Sequence, residues 1–216
     1  MFDPQLFRQA ISRFATGVAV VTTRHQDRDS GMTASAVTSL CVDPPMLLVC
    51  VNQTAPTHNA IRRSDTFVVN VLASGQEHLA QQFARPAPDK FAGVPKRPGN
   101  LGAPVIEGTV AHFECEVRDR LTGGTHTIFV GEVVDAGFDI SREPLVYYSS
   151  GFGRFGAADA VDSPEPQPRI PELVGAAGGE LAFPPLGTEL FSCAWEWAQD
   201  DTAAPAPDHR FLTQAM

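Results

Sequence analysis

Between Val18 and Ser149 the chain is cut into many strand-forming segments, with only short helical stretches between them. A parallel, doubly wound sheet needs a long crossover between successive strands, so this pattern favours an antiparallel, mainly β fold: a β-barrel decorated by short helices. Val18–Thr23 and Met32–Cys41 read as a hairpin around a polar turn, His25–Gly31. Asp43-Pro44-Pro45 breaks the second strand, and Met46–Val51 is a third. Thr66–Leu72 follows, then two long strands, Thr109–Leu121 and Thr125–Phe138, joined at Thr122-Gly123-Gly124, and a last strand over Pro144–Ser149. Helical spacing places Leu6, Phe7, Ala10, Ile11 and Phe14 on one face of a helix over 5–15, and short helices are predicted over Pro56–Arg63 and Gln76–Ala84. The Pro- and Gly-rich stretch 85–104 reads as a long surface loop.

Charge divides the 216 residues into two parts. Residues 157–216 hold ten Asp/Glu against two Arg, whereas residues 1–156 hold fifteen acidic and fourteen basic side chains. The body is therefore nearly neutral and the extension strongly acidic, and neither offers the broad basic face that nucleic acid requires. The extension, 157–216, is rich in proline and reads as partly disordered. Its aromatic section, with Phe191, Trp195 and Trp197, is expected to dock on the body. No run of 18 apolar residues predicts a membrane span, and no signal peptide is visible at Met1-Phe2-Asp3-Pro4. Cys41, Cys50, Cys115 and Cys193 lack CxxC spacing, which fits reduced thiols in cytoplasm.

Three stretches carry candidate chemistry. In Gly31–Cys41, small and hydroxyl side chains alternate, with Thr33 and Ser35 on one strand face and Ala34 and Ala36 on the other. Small residues admit a planar ligand to the backbone and hydroxyls can bond a polyol, but a strand rich in Ser and Thr needs no ligand. Asn52-Gln53-Thr54-Ala55-Pro56-Thr57 precedes a helix, where free amides and Thr hydroxyls form a phosphate site. Simple N-capping by Thr54 is the alternative. Arg62, Arg63, Arg85, Lys90, Lys96 and Arg97 could complete the charge. His126, after Gly123-Gly124-Thr125, is a candidate for orienting a ligand or moving a proton, or else a structural strand histidine. No HExxH and no clustered Cys/His set predicts a metal, and neither GxGxxG nor GxSxG is present.

Taken in order, Phe14-Ala-Thr-Gly-Val18, Gly31-Met-Thr-Ala-Ser35, Ser39, Asp43-Pro-Pro45, Thr54, Thr57, Phe67-Val-Val-Asn-Val-Leu72, Lys90-Phe91, His126 with Gly131-Glu-Val133, and Pro144-Leu-Val-Tyr-Tyr148 resemble the short-chain flavin reductases, the reductase components of two-component flavin monooxygenases. The resemblance covers about residues 2–156. It implies an FMN-binding split barrel in a homodimer, with FMN or FAD as flavin and NADH or NADPH as hydride donor. It further implies that Thr33, Ala34, Ser35, Ser39, Leu40 and Cys41 line the flavin ring and ribityl chain. Asn52, Thr54 and Thr57 would hold the phosphate with Arg85 or Lys90, and Phe91, Tyr148 and Phe152 would wall the pocket. His126 would position the nicotinamide. Cys41 stands where many relatives carry Ser, and Thr125 where an acidic residue is common. The expected function is reduction of free flavin for a partner monooxygenase. A flavoenzyme that keeps its flavin and acts on an organic substrate, and a non-catalytic flavin-binding or partner-docking protein, are the alternatives.

Overall fold

The computed structural model describes residues 2–156. The acidic extension over 157–216, with the Trp195 and Trp197 expected to dock, lies outside the described residues.

The chain opens with α1, Pro4–Ile11, whose first turn is capped by Asp3: its Oδ1 accepts the Gln5 N–H at 2.9 Å. The short β1, Thr16–Gly17, leads into β2, Ala19–His25, and β3, Arg28–Ala34. The turn between β2 and β3 is tighter than the polar run suggested. Only Gln26 and Asp27 lie outside the ladder, both at positive φ (48° and 59°), the geometry that matches the twist of a two-residue hairpin.

Met32–Cys41, expected as one strand, is two. β3 ends at Ala34 and pairs with β2, whereas β4, Val37–Val42, pairs with β5, Pro45–Asn52. The small Ser35 and Ala36 let the chain turn here, and the consequence is architectural. Adding α2 (Pro56–Ser64), β6 (Thr66–Val71), α3 (Glu77–Ala84), β9 (Ala111–Gly123) and β10 (His126–Phe138), the main sheet runs β3-β2-β6-β9-β10-β5-β4, with every neighbouring pair antiparallel. β3 and β4 are its two edges although they are consecutive in sequence. Only Ser35-Ala36 separate the two edges, and the Cys50 N–H donates to Ala36 O at 3.0 Å, extending the β4–β5 ladder back to that junction, so the sheet curls into a split barrel.

Apolar side chains from alternating strand positions fill the barrel, among them Val21, Met32, Val49, Val51, Phe67, Val69 and Phe129. Gly131 is required there: a Cβ would lie 2.5 Å from Phe67 Cζ, so the ring packs directly on the backbone of β10. The β9–β10 turn falls at Gly124-Thr125, one residue later than expected, with Gly124 at φ 60°.

The stretch 85–104 is not the surface loop its prolines suggested. β7, Lys96–Pro98, and β8, Pro104–Ile106, pair within and just beyond it, and Phe91, Val94, Ala103, Val105 and Ile106 are buried. Buried polar groups tie it down. Glu114 accepts the Asn100 and Leu101 N–H groups, each at 3.0 Å, and Asn70 Oδ1 accepts the Ile106 N–H at 2.8 Å. Phe91, Val94 and Ile106 join Leu72 and the α3 residues Leu79, Ala80 and Phe83 in a second apolar cluster beside the barrel, while Ala103 and Val105 pack with Val68. β11, Leu145–Tyr148, sits between β1 and an unanticipated β12, Gly151–Arg154. α1 buries none of its residues, so Leu6 and Phe7 are exposed, as is Phe14 just beyond the helix.

Candidate active site

The junction of β5 and α2 is built by Asn52. Its Oδ1 accepts both the Thr54 N–H, at 2.7 Å, and the Thr54 hydroxyl, at 2.9 Å. Thr54 is thus turned back towards the strand and does not cap the helix. The residue at the cap is Ala55, with no side-chain hydrogen bond to the first turn, and Pro56 opens α2. A helix start without a side-chain cap presents amides and the positive end of the dipole to whatever lies in front of it.

A cleft of about 890 Å³ lies there. One wall is Ser30-Gly31-Met32 of β3, the second is the start of α2, and the third is the segment from Phe83 to Phe91. Gly31 lets the third wall close directly on β3: a Cβ would meet Phe83 Cε1 at 2.8 Å and Phe91 Cζ at 3.2 Å. Those rings meet edge to face at 4.9 Å, and the Lys96 ammonium lies 4.5 Å from the Phe91 ring centre. Asp89 Oδ1 accepts the Phe91 N–H at 2.8 Å, and Gln82 Nε2 donates to Lys90 O at 2.9 Å and Ala92 O at 3.0 Å. Lys90 donates from Nζ to Phe83 O at 2.7 Å, at the end of α3, and burial pushes its ammonium below the usual lysine range.

The structure therefore gathers Asn52, Thr54, Thr57, Lys90 and Phe91 around one cleft. Thr33 and Ala34 continue the Gly31 wall but are buried, and the Thr33 hydroxyl donates to Ala80 O at 2.6 Å. Ser35 is half-buried at the break between β3 and β4. Ser39, Leu40 and Cys41 lie exposed on the β4 edge, where the register slips between Ser39 and Cys41. Cys41 Sγ donates to Pro44 O at 3.0 Å. Arg85 is the half-buried C-cap of α3. Tyr148 is exposed at the end of β11, and Phe152 packs edge-on against Tyr147 at 5.6 Å. None of these outer residues lines the cleft.

His126 opens β10 directly opposite Asn52 in the ladder. It is buried, and its Nδ1 shares a hydrogen bond of 2.9 Å with the Thr125 hydroxyl. Gln53 reinforces the junction, its N–H donating to Thr125 O at 3.0 Å and its Nε2 to His126 O at 3.3 Å. The β5–β10 register thus fixes the histidine to the same turn that presents the helix start.

Sequence reasoning passed over His58. Its Nε2 shares a 2.9 Å hydrogen bond with the Thr127 hydroxyl, and its ring meets Phe129 edge-on at 5.5 Å. Burial, and then the Arg62 cation, push this imidazole below the ordinary histidine range, against an opposing hydrogen bond from Asn59. As pH falls through about 6.5 the unfolded chain takes the proton first. The stability His58 supports is therefore present above that pH and is lost as pH falls towards its lowered folded value. Denaturant titrations at pH 7.5 and 5.5 should show a larger loss for the wild type than for His58→Gln. Equal losses would contradict this.

His112, Glu114 and Asp135 bring three potential metal-binding atoms within 4.8 Å of one another. Both Glu114 oxygens already accept backbone N–H groups, and His112 Nε2 accepts from Arg97 at 3.2 Å. This cluster holds the 97–101 turn.

An antiparallel split barrel with an uncapped helix start facing a cleft is the frame of a flavin-handling oxidoreductase. Residues 11–156 match the flavin reductase like domain, and the chain belongs to that family. It is 46% identical over 153 residues to the reductase component of 4-nitrophenol 4-monooxygenase/4-nitrocatechol 2-monooxygenase from Rhodococcus opacus, covering 71% of this chain and 82% of that one. It is 41% identical over 163 residues to an NADH-dependent FAD reductase from Streptomyces globisporus, covering 73% and 88%. Among solved structures, the Streptomyces globisporus C-1027 NADH:FAD oxidoreductase SgcE6, in complex with NAD and FAD fragments, superposes with a TM-score of 0.69 at 40% identity, over 74% of this chain and 98% of that one.

Proposed function

We propose that this protein is an NAD(P)H-dependent flavin reductase that supplies reduced FMN or FAD to a partner monooxygenase. The observation that carries the reading is the uncapped start of α2 opening into the cleft beside Gly31. The donor set fits a phosphorylated flavin: amides and the Thr57 hydroxyl at the start of α2 suit a phosphate. Bound flavin supplies the two-electron chemistry, accepting a hydride from reduced nicotinamide.

The chain's own residues bind and orient. Thr57 holds the phosphate, and Asn52 sets the turn by accepting both the Thr54 N–H and hydroxyl. Thr33, Ala34 and Ser35 give the ring a close backbone surface, and the β4 edge at Ser39, Leu40 and Cys41 offers hydrogen-bonding groups towards it. Arg85 and Lys90 add positive charge, while Phe91, Tyr148 and Phe152 exclude water. His126 positions the hydride donor, and holding two reactants in register supplies much of the rate in such a reaction.

The protein acts as a homodimer in this reading, supported by the exposure of the large apolar side chains Leu6, on α1, and Phe14, just beyond it, among the described residues. A second copy would bury them and bring β11 and β12 near the site. Among the described residues no helix is long and apolar enough to cross a membrane. Cys41, Cys50 and Cys115 form no disulfide among the described residues, which supports a cytoplasmic setting.

The test is NADH oxidation by desalted protein. Turnover should appear only when flavin is added and should need no organic substrate. Dependence on an organic substrate, with flavin retained through desalting, would replace this reading with that of a self-contained flavoenzyme.

A further inference from the structure

His58 stands in the first turn of α2, directly after Thr57, and it does not line the cleft. Its Nε2 shares a 2.9 Å hydrogen bond with the hydroxyl of Thr127, the residue directly after His126 at the start of β10. The bond therefore joins the chain neighbours of the two residues to which the proposed function gives the phosphate and the hydride donor. The His58 ring also meets Phe129 edge-on at 5.5 Å. Thr127 and Phe129 are two apart on β10 and share one strand face, so a single imidazole spans both. Thr57, His58, His126, Thr127 and Phe129 are all buried, and a hydrogen bond removed from water is electrostatically stronger than an exposed one. The ties through Asn52 and Gln53 act on the turn before the helix, joining Asn52 to Thr54 and Gln53 to Thr125 and His126. Ile61, further along α2, seats the helix in the apolar core, a contact with no preferred direction. His58 adds a directional one, aimed at β10.

We infer that His58 is a positioning residue for hydride transfer: through Thr127 it holds the helix start that carries the flavin phosphate in register with His126. This rests on the reading of Thr57 as the phosphate holder and of His126 as the group that positions the donor. Reacting atoms must be held about 3–3.5 Å apart, and a small misplacement costs rate steeply. When α2 shifts against β10, flavin still binds, because Thr57 and the helix amides move together. What is lost is the alignment of the bound flavin with its donor. The effect falls on the hydride step and spares flavin affinity.

Stopped-flow reduction of bound flavin at saturating NADH, run beside flavin titrations on the full chain, tests this. His58→Phe keeps a ring against Phe129 and deletes the hydrogen bond, and Thr127→Val deletes it from the other side at nearly constant shape. Each should slow the hydride step about tenfold, with flavin affinity within about twofold of wild type. The double substitution should be no slower than either alone, because both remove the same bond. His58→Gln, whose amide can reach Thr127, and Thr127→Ser should each recover most of the rate. A merely structural role would lower thermal stability and leave the rate of the folded protein alone. Wild-type rates in both His58→Phe and Thr127→Val therefore overturn the inference, as do losses that multiply in the double variant or a loss of flavin affinity in place of rate. If His58→Phe does not fold, Thr127→Val and Thr127→Ser carry the same decision. His126→Ala, measured alongside, separates this inference from the reading beneath it. A slowed His126→Ala with unslowed His58 and Thr127 variants overturns only the role of His58. A wild-type rate in His126→Ala removes the donor-positioning role and the inference with it.

Discussion

His126→Ala should slow reduction of bound flavin by NAD(P)H about ten- to a hundredfold, while flavin titrations change little. The expectation comes from where the residue is tied. His126 is buried at the start of β10, paired with Asn52, and bonded through Nδ1 to Thr125. A side chain so constrained has one direction available, and a positioning role depends on that restriction. It is not among the residues lining the cleft that faces the helix start, which is why its loss should register in the rate more than in flavin affinity. Stopped-flow reduction at saturating flavin separates the two quantities. An unchanged rate would return His126 to a purely structural role, holding Gln53 and the β5–α2 junction.

Thr57→Ala should weaken flavin binding by about ten- to a hundredfold, the cost of one lost hydrogen bond to a charged phosphate. Thr54→Ala should cost less. The Thr54 hydroxyl already donates its proton to Asn52 Oδ1, and a phosphate needs donors, so this side chain has little left to offer it. Asn52→Ala should behave more like Thr57→Ala, because it releases the turn that leaves the helix start uncapped. Calorimetry on the three variants, with circular dichroism to check the fold, reads this ranking. Equal, undiminished affinity in all three would place the flavin phosphate elsewhere.

The contrast between Thr54 and Thr57 shows what the sequence could and could not convey. A Thr-Ala-Pro-Thr run announces the first turn of a helix, and that element was legible from residue type alone. Which threonine turns back towards Asn52 depends on side-chain geometry that no spacing encodes. The hairpins were legible for a similar reason: apolar strands alternating with turn residues have few other solutions. The split of Met32–Cys41 was not, since Ser35 and Ala36 are as compatible with a strand as with a bend. Residues 85–104 misled because prolines and glycines erase periodicity while leaving Phe91, Val94 and Val105 as apolar as any core residue. β12 escaped because Gly151 and Gly153 give its sequence little strand propensity. The Gly31–Phe83–Phe91 wall joins positions more than fifty residues apart, so only the folded chain could display it.

The central claim is that the protein turns over flavin as a substrate. Under anaerobic conditions, a small amount of flavin-free protein should be mixed with a large excess of flavin and of NADH, and the flavin absorbance followed to completion. The account predicts that many equivalents of flavin are bleached per protein, with NADH consumed one for one. Bleaching that stops at a single equivalent, with the flavin still bound to the protein, would contradict it.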